Sequence, residues 1–97
     1  FKKLTVDLKG RQIQINNIPV ILTKREFDII ELLSLHPGQV FSKEQIYEKI
    51  WGYDAEGDSS NITEHVKKIR AKFNVIDPNT QYISTIWGIG YRWDKIK

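Results

Sequence analysis

One stretch of fifteen residues, SSNITEHVKKIRAKF at positions 59–73, constrains the fold more than any other part of the chain. Its apolar side chains recur at intervals of four, three and four residues, which aligns them on one stripe of an α-helix. The stripe consists of Ile62, Val66, Ile69 and Phe73. Because such a stripe has to be buried, the segment predicts an amphipathic helix docked on a core.

The outward side of this predicted helix is polar and mostly basic. It holds Ser60, Asn61, Glu64, Lys67, Lys68 and Ala71, with Thr63 and Arg70 on one flank and His65 and Lys72 on the other. Two interpretations fit such a surface: an ordinary solvated helix face, or a face that contacts a polyanion. The organisation of the remaining chain has to distinguish them.

The length and composition predict a single small domain. The chain has 97 residues, 40% of them apolar, and it contains neither cysteine nor a long apolar run nor a charged-then-apolar leader. We therefore expect no disulfide framework, membrane span or secretory signal, and we expect an intracellular, cytoplasmic protein. Because the sequence begins at Phe1 and has no methionine, we also expect that an upstream segment has been removed.

The formal charge of +3 is unevenly distributed along the chain. Residues 1–25 carry six cations and one anion, residues 26–58 carry two cations and eight anions, and residues 59–97 carry seven cations and three anions. Basic ends and an acidic middle predict an oriented encounter with a polyanion such as a nucleic acid.

The first part of the chain predicts three short strands. Apolar and other residues alternate over positions 4–8 and again over 13–15, on either side of a turn at 9–10. The sequence NNIP then supplies a second turn, and the apolar residues at 20–22 predict a third strand that leads into a helix.

Two capping signatures mark the starts of two further helices, TKRE from Thr23 and SKEQ from Ser42. The residues His-Pro-Gly at 36–38 are expected to end the first of these helices, and Gly52 the second. The predicted inward residues are Phe27, Ile30, Leu33 and Leu32 in the first helix, and Ile46 and Ile50, with Tyr47 and Trp51 near the end, in the second.

The last part of the chain predicts a β-hairpin. A turn at 77–80 precedes YISTIWGIGYRW (82–93), two β-rich runs around Gly88-Ile89-Gly90. The predicted order of strands, three helices and a hairpin is α+β and describes a winged helix-turn-helix, in which the third helix enters the major groove of DNA. The acidic loop 52–59 is longer than a tight helix-turn-helix turn.

Three segments together resemble the output domains of OmpR/PhoB-family response regulators. They are LTKREFDIIELLSLHPGQVFSKEQIYEKIWGYD (22–54), HVKKIRAKF (65–73) and ISTIWGIGYRW (83–93). The resemblance implies an N-terminal four-stranded sheet, a three-helix core and a C-terminal wing. It also implies a receiver domain, absent from this chain, that a sensor histidine kinase phosphorylates.

The resemblance further implies the partners and the residues that meet them. Double-stranded DNA is the expected ligand, bound by two copies of the domain head to tail on tandem direct repeats. The implied DNA-facing residues are Ser60, Asn61, Thr63, Glu64, His65, Lys67, Lys68 and Arg70 on the third helix, and Thr85, Trp87 and Tyr91 on the wing. The loop with Tyr53, Asp54, Glu56 and Asp58 is expected to face RNA polymerase.

The sequence departs from the commoner family pattern at three places. Ser60 and Trp87 stand where arginine is frequent, and Thr63-Glu64 stands where an aspartate-valine pair is usual. We expect the fold and the role to survive these changes, whereas the identity of the DNA site does not follow from relatives.

Several residues leave two interpretations open. Glu64 either accepts a hydrogen bond from an amino group such as cytosine N4 or pairs with Lys68 one turn later. Trp87 either packs back on the domain or lies against the sugar and backbone atoms of DNA. His65 is either a backbone contact or a flank residue that packs on the edge of the core.

Neither catalysis nor metal or cofactor binding is predicted. The chain has no glycine-rich phosphate loop between a strand and a helix, no paired carboxylates, no nucleophile-base set and no cysteine. The remaining rival to DNA binding is a winged-helix module that makes only protein contacts, since a fold alone does not fix a function.

Overall fold

The computed structural model describes residues 4–52 and 59–94, which form an α+β fold. The elements, in chain order, are β1 (Leu4–Asp7), β2 (Gln12–Ile15), β3 (Ile18–Val20), α1 (Lys24–Ser34), β4 (Val40–Phe41), α2 (Lys43–Trp51), α3 (Ser60–Ile76), β5 (Ile83–Ile86) and β6 (Gly90–Trp93). This order confirms the predicted N-terminal strands, three helices and C-terminal hairpin.

The N-terminal sheet is antiparallel, with the strand order β1-β2-β3. Its third strand is Ile18–Val20 and not the predicted 20–22, because a tight turn reverses the chain early. Asn16 and Asn17 both have positive φ (53° and 65°), a conformation that asparagine tolerates and that two-residue hairpins require. Of the four strands that the family resemblance implies for this sheet, the described residues form three.

Both predicted capping boxes are confirmed. The Thr23 side chain accepts from the Glu26 amide at 3.2 Å, and Glu26 Oε1 accepts from the Thr23 amide at 2.9 Å. Ser42 and Gln45 make the same reciprocal pair at the start of α2, at 3.0 and 2.8 Å. These caps satisfy backbone donors that the first turn leaves unpaired, and so they fix where α1 and α2 begin.

A second sheet joins the hairpin to the connection between α1 and α2. The two-residue strand β4, which was not predicted, pairs with β6 and gives the order β4-β6-β5. Two residues are too few to produce the alternation by which a strand is recognised in sequence. The close approach explains Gly90, where an added Cβ would lie 2.0 Å from the carbonyl oxygen of Phe41.

Helix α3 lies against the core with its predicted apolar stripe buried. It runs to Ile76, three residues beyond the predicted segment. The Phe73 ring meets Tyr82 and Trp93 edge-on, with centroids 5.3 and 6.4 Å apart, and joins the helix to the hairpin. In the other helices Ile29 is buried although it was not predicted, whereas Leu32, Ile50 and Trp51 are only partly buried.

Candidate nucleic-acid interface

The side of α3 opposite its buried stripe is a continuous exposed surface. We call it the outer face of α3, and it consists of Ser60, Asn61, Thr63, Glu64, Lys67, Lys68 and Ala71. The structure therefore brings together six of the eight DNA-facing residues predicted on this helix. The other two, His65 and Arg70, are half-buried on its flanks.

The first turn of α3 is attached to α2. The N-cap residue Ser59 makes no side-chain hydrogen bond to its own helix, and its hydroxyl donates instead to Glu44 Oε2 at 3.0 Å. The Glu44 pKa is lowered by a hydrogen bond from its own backbone amide and by the one from Ser59. This contact positions the end of the outer face that holds Ser60 and Asn61.

His65 lies on the flank of α3 that meets α1 and α2. Its Nδ1 is 2.8 Å from the carbonyl oxygen of Asn61, and its ring meets the ring of Trp51 edge-on at 5.4 Å. The Trp51 ring is also contacted by the Arg25 guanidinium, 4.9 Å from the ring centre, and by Tyr47, which stacks at 5.0 Å. These contacts match the interpretation in which His65 packs on the edge of the core.

Arg70 points toward the wing, which is the hairpin formed by β5 and β6. Its Nη2 donates to the carbonyl oxygen of Ile83 at 3.0 Å and to Thr85 Oγ1 at 2.7 Å. The guanidinium carbon also lies 5.6 Å from the centre of the Tyr91 ring. We call these contacts the α3–wing brace. Arg70 was expected to face phosphate, but at least one of its amino groups donates hydrogen bonds within the domain.

Tyr91, which was expected at the DNA-facing surface of the wing, is 7% exposed. Its position in β6, paired with Thr85 on one side and Phe41 on the other, directs the ring onto the core. The hydroxyl donates to Thr63 Oγ1 at 3.5 Å, so it adds a weak second link between α3 and the wing. The DNA contact expected of Tyr91 stays a prediction, and the structure shows that most of its ring packs within the domain.

The tip of the wing is apolar and exposed. Trp87 is 89% exposed and Ile89 is 61% exposed, so the interpretation in which Trp87 packs back on the domain is wrong. A hydrogen bond from the Ile89 amide to the Ile86 carbonyl at 2.9 Å closes the turn, and Gly88 supplies the positive φ of 77° that it needs. The turn therefore holds the indole outward.

An open groove separates α3 from the wing. It has a volume of about 710 Å³, and Arg70 and Ala71 from α3 line it together with Thr85 and Trp87 from the wing. The exposed indole thus borders the same depression as Ala71, the one residue of the outer face of α3 that lines it.

The polar side chains at the centre of the outer face are not engaged with each other. Within residues 4–52 and 59–94, no ion pair joins Glu64 to Lys68, although both side chains are exposed on successive turns. The pairing interpretation of Glu64 has no support in this geometry. Lys67 and Lys68 extend from the same surface.

The far end of α3 is held by a buried carboxylate that sequence analysis did not identify. Glu26 is 2% exposed, and its Oε1 accepts from Lys72 Nζ at 2.6 Å as well as from the Thr23 amide. Burial raises the Glu26 pKa, but the hydrogen bonds from Lys72 and Thr23 outweigh burial and leave the pKa below its usual 4.5. No sequence signal links positions 46 residues apart.

The predicted polymerase-contact residues lie outside the part of the chain that the structure describes. The residues expected to face RNA polymerase, Tyr53, Asp54, Glu56 and Asp58, lie in 53–58, outside the described residues.

Across the described ranges, His, Asp and Glu side chains form no cluster of metal-ligand type. Among the helices of those ranges, none has the length and apolar character needed to cross a bilayer.

Comparison with known proteins gives a consistent family match. The family described as "Transcriptional regulatory protein, C terminal" matches residues 17–93. The transcriptional regulatory protein SpaR of Bacillus subtilis is 43% identical over 85 residues, which cover 88% of this chain and 38% of SpaR. The transcriptional regulatory protein YclJ of Bacillus subtilis (strain 168), itself uncharacterised, is 38% identical over 92 residues, covering 94% of this chain and 40% of YclJ.

Solved structures share the fold over nearly the whole chain. The DNA-binding domain of Bacillus subtilis CssR superposes with a TM-score of 0.78 at 32% identity, covering 93% of this chain and 98% of that one. The DNA-binding domain of the response regulator AdeR, in complex with an intercistronic region, gives a TM-score of 0.84. That match covers 99% of this chain and 98% of the AdeR domain, and at 24% identity it is evidence of the fold alone. The chain spans about two fifths of the length of SpaR and YclJ.

Proposed function

Because the chain belongs to the C-terminal domain family of transcriptional regulatory proteins, the OmpR/PhoB-type DNA-binding output domains of response regulators, we propose that it binds double-stranded DNA in a sequence-specific manner. In this proposal α3 enters the major groove with its outer face toward the bases. The wing follows the adjacent backbone or minor groove.

The observation that carries the proposal is the composition of the outer face of α3. Exposed amide, hydroxyl, carboxylate and ammonium groups alternate on it, so it offers both donors and acceptors to base edges and cations to phosphates. Residues Asn61 and Glu64 suit base edges, because an amide and a carboxylate match adenine and cytosine amino groups. Lys67 and Lys68 suit phosphate oxygens, which supply most of the affinity.

The assembly on DNA follows from the small footprint of one helix. A single recognition helix covers too few base pairs for a unique site in a genome, and the family resemblance implies a paired arrangement, so we propose that two copies bind head to tail on tandem direct repeats about 10 to 11 base pairs apart. The chain then acts as one domain of a longer regulator. A receiver domain phosphorylated by a sensor histidine kinase would precede it, and the acidic segment 52–59 would face RNA polymerase.

In this proposal the domain has no catalytic role and acts in the cytoplasm, where a transcriptional regulator meets the chromosome. The rival function is a winged-helix module that makes only protein contacts. The two differ in their response to salt, because counterion release makes duplex binding fall steeply as salt rises.

Selection of duplexes from a random library by the 97-residue chain tests the proposal. We expect enrichment of one half-site sequence, mostly as direct repeats, with affinity that falls as salt rises. Enrichment of inverted repeats alone would overturn the head-to-tail arrangement. Absence of an enriched sequence together with negligible duplex affinity at low salt would favour the protein-contact module.

A further inference from the structure

The first turn of α3 begins without a side-chain cap of its own. The Ser59 side chain makes no hydrogen bond to the helix that it precedes, and its hydroxyl donates to Glu44 on α2 instead. Helices α1 and α2, by contrast, both begin with complete capping boxes. The first turn of α3 carries Asn61, which is proposed to meet bases, so the position of this residue depends on contacts from other helices.

His65 and Trp51 supply one of these contacts. His65 Nδ1 lies 2.8 Å from the carbonyl oxygen of Asn61, one turn earlier, and the same imidazole meets the Trp51 ring edge-on at 5.4 Å. A half-buried ring thus lies between the backbone of Asn61 and the last residue of α2. The orientation of the Trp51 ring therefore helps to determine where the backbone of Asn61 is held.

The Trp51 ring is in turn held by Arg25, from the first turn of α1. The guanidinium carbon lies 4.9 Å from the centre of the ring, and Nη1 donates to the carbonyl oxygen of Ile50 at 3.0 Å. That carbonyl is in the last turn of α2, where a helix leaves its acceptors unpaired. Asp28 Oδ2, one turn later on α1, lies 3.6 Å from the same Nη1. One side chain thus fixes both the backbone and the ring at the end of α2.

We infer that Arg25, which lies outside the outer face of α3, is a positioning residue for base recognition by Asn61. It acts through Trp51 and His65. Hydrogen bonds to base edges depend on distance and direction, so a small displacement of the first turn of α3 weakens them. This inference rests on the proposed function, and it adds a determinant of base preference that belongs to α1.

A direct phosphate contact is the alternative role for Arg25, because its side chain is cationic and 37% exposed. Two observations favour positioning: the guanidinium already donates to a carbonyl oxygen within the domain, and it is already close to a carboxylate. The two roles have different consequences for binding. Loss of a phosphate contact weakens binding to every duplex and reduces the salt dependence, whereas loss of positioning reduces the preference at one base pair.

The experiment measures affinities for the selected duplex and for variants changed at one base pair at a time. Asn61→Ala identifies the base pair that Asn61 reads, because a good contact between a side chain and a base supplies a preference of about 5- to 150-fold. We expect Arg25→Ala to reduce the preference at that base pair by about 5-fold or more, with little change at the others. The slope of log affinity against log salt should stay at its wild-type value.

Arg25→Lys tests whether charge alone is sufficient. It should resemble Arg25→Ala, because an ammonium group lacks the planar surface that lies over Trp51 while it donates to Ile50. Lys24→Ala is the matched control, since it removes the neighbouring exposed cation from the same turn of α1 and should leave every base preference unchanged. Each preference is a ratio of two affinities measured on one protein, so an unfolded fraction in a destabilised variant cancels.

A second background separates positioning from a general loosening of the domain. In Asn61→Ala no amide is left to be positioned, so adding Arg25→Ala should reduce the preference at that base pair no further. A general loosening would instead lower the preferences at several base pairs in both backgrounds.

Four outcomes would overturn the inference. The first is a wild-type preference in Arg25→Ala at the base pair that Asn61 reads, and the second is no lost preference in Asn61→Ala. The third is a salt slope reduced by about 0.9 in Arg25→Ala with weakening shared by all duplexes, which would make Arg25 a phosphate contact. The fourth is a further loss when Arg25→Ala is added to Asn61→Ala. All four leave the proposed function standing, whereas a wild-type chain without any base preference would overturn both.

Discussion

Lys72 Nζ lies 2.6 Å from Glu26 Oε1, and this contact joins the last turns of α3 to the first turn of α1. The carboxylate is buried and also closes the capping box of α1, whereas the ammonium side chain is 36% exposed. One side chain thus fixes both where α1 begins and how α3 lies across it. The recognition surface depends on this scaffold although neither residue belongs to the outer face.

We expect Lys72→Ala to destabilise the domain by about 1 to 2 kcal/mol. Breaking a fully buried pair costs about 3 to 5 kcal/mol, but water reaches Lys72 and the Thr23 amide still donates to Glu26, so the smaller value applies. Urea unfolding at pH 7 measures the change in the free energy of unfolding. Lys67→Ala, which removes a cation from the exposed face, is the control and should stay within about 0.5 kcal/mol of wild type.

The same pair predicts how stability depends on pH. Because folding lowers the Glu26 pKa below 4.5, the ionised carboxylate contributes stability above that value, and the contribution is lost as pH falls through the lowered pKa. In Lys72→Ala the Glu26 pKa should rise, so the part of the unfolding free energy that is lost on acidification below 4.5 should be smaller than in wild type. Identical profiles of unfolding free energy between pH 3 and 7 would contradict this assignment.

Gly90 and Gly88 predict a contrast within the wing. An added Cβ at Gly90 would lie 2.0 Å from the Phe41 carbonyl oxygen, so Gly90→Ala should separate β4 from β6 and cost about 3 kcal/mol or more. Gly88 has open space around it and only its positive φ opposes a side chain, so Gly88→Ala should cost about 1 kcal/mol. Thermal unfolding of the two variants compares them, and a larger loss for Gly88→Ala would contradict the packing described for β4.

Arg70 is predicted to act on DNA mainly through the position of the wing. Arg70→Lys keeps the charge but lacks the planar fork that reaches both Ile83 and Thr85, so it should weaken DNA binding with little change in the salt slope. Combined with Trp87→Ala, the two losses should be less than additive, because both act through the wing. Full additivity, or full activity of Arg70→Lys, would show that Arg70 acts as a simple phosphate contact.

The sequence predicted most of the fold because most of its signals are local. Capping boxes, the four-three-four stripe and the glycine-centred hairpin each depend on residues within a few positions, and each is found where it was expected. Strand β4 and the Glu26–Lys72 pair were missed because they arise only when distant segments meet. The DNA-facing set was implied by the family resemblance, which carries over positions but not the internal contacts that the structure shows for Tyr91 and Arg70.

Glu64 tests whether the outer face reads bases. With no ion pair to Lys68, its carboxylate has to meet an amino donor or suffer repulsion from nearby phosphates. We expect Glu64→Ala to cost about 1 to 3 kcal/mol on the preferred base pair and little on the others. Affinities for four duplexes that differ only at that base pair measure this, and uniform tightening on all four would exclude base readout by Glu64.

The most direct test of the account is the salt dependence of duplex binding by Lys67→Ala and Lys68→Ala. The central claim is that the outer face of α3 lies against DNA, and both ammonium groups belong to that face. The slope of log affinity against log salt on the selected duplex should fall in magnitude by about 0.9 for each lysine that contacts a phosphate, with similar weakening across sequences. Slopes equal to that of wild type in both variants would contradict the claim and place the basic face away from the duplex.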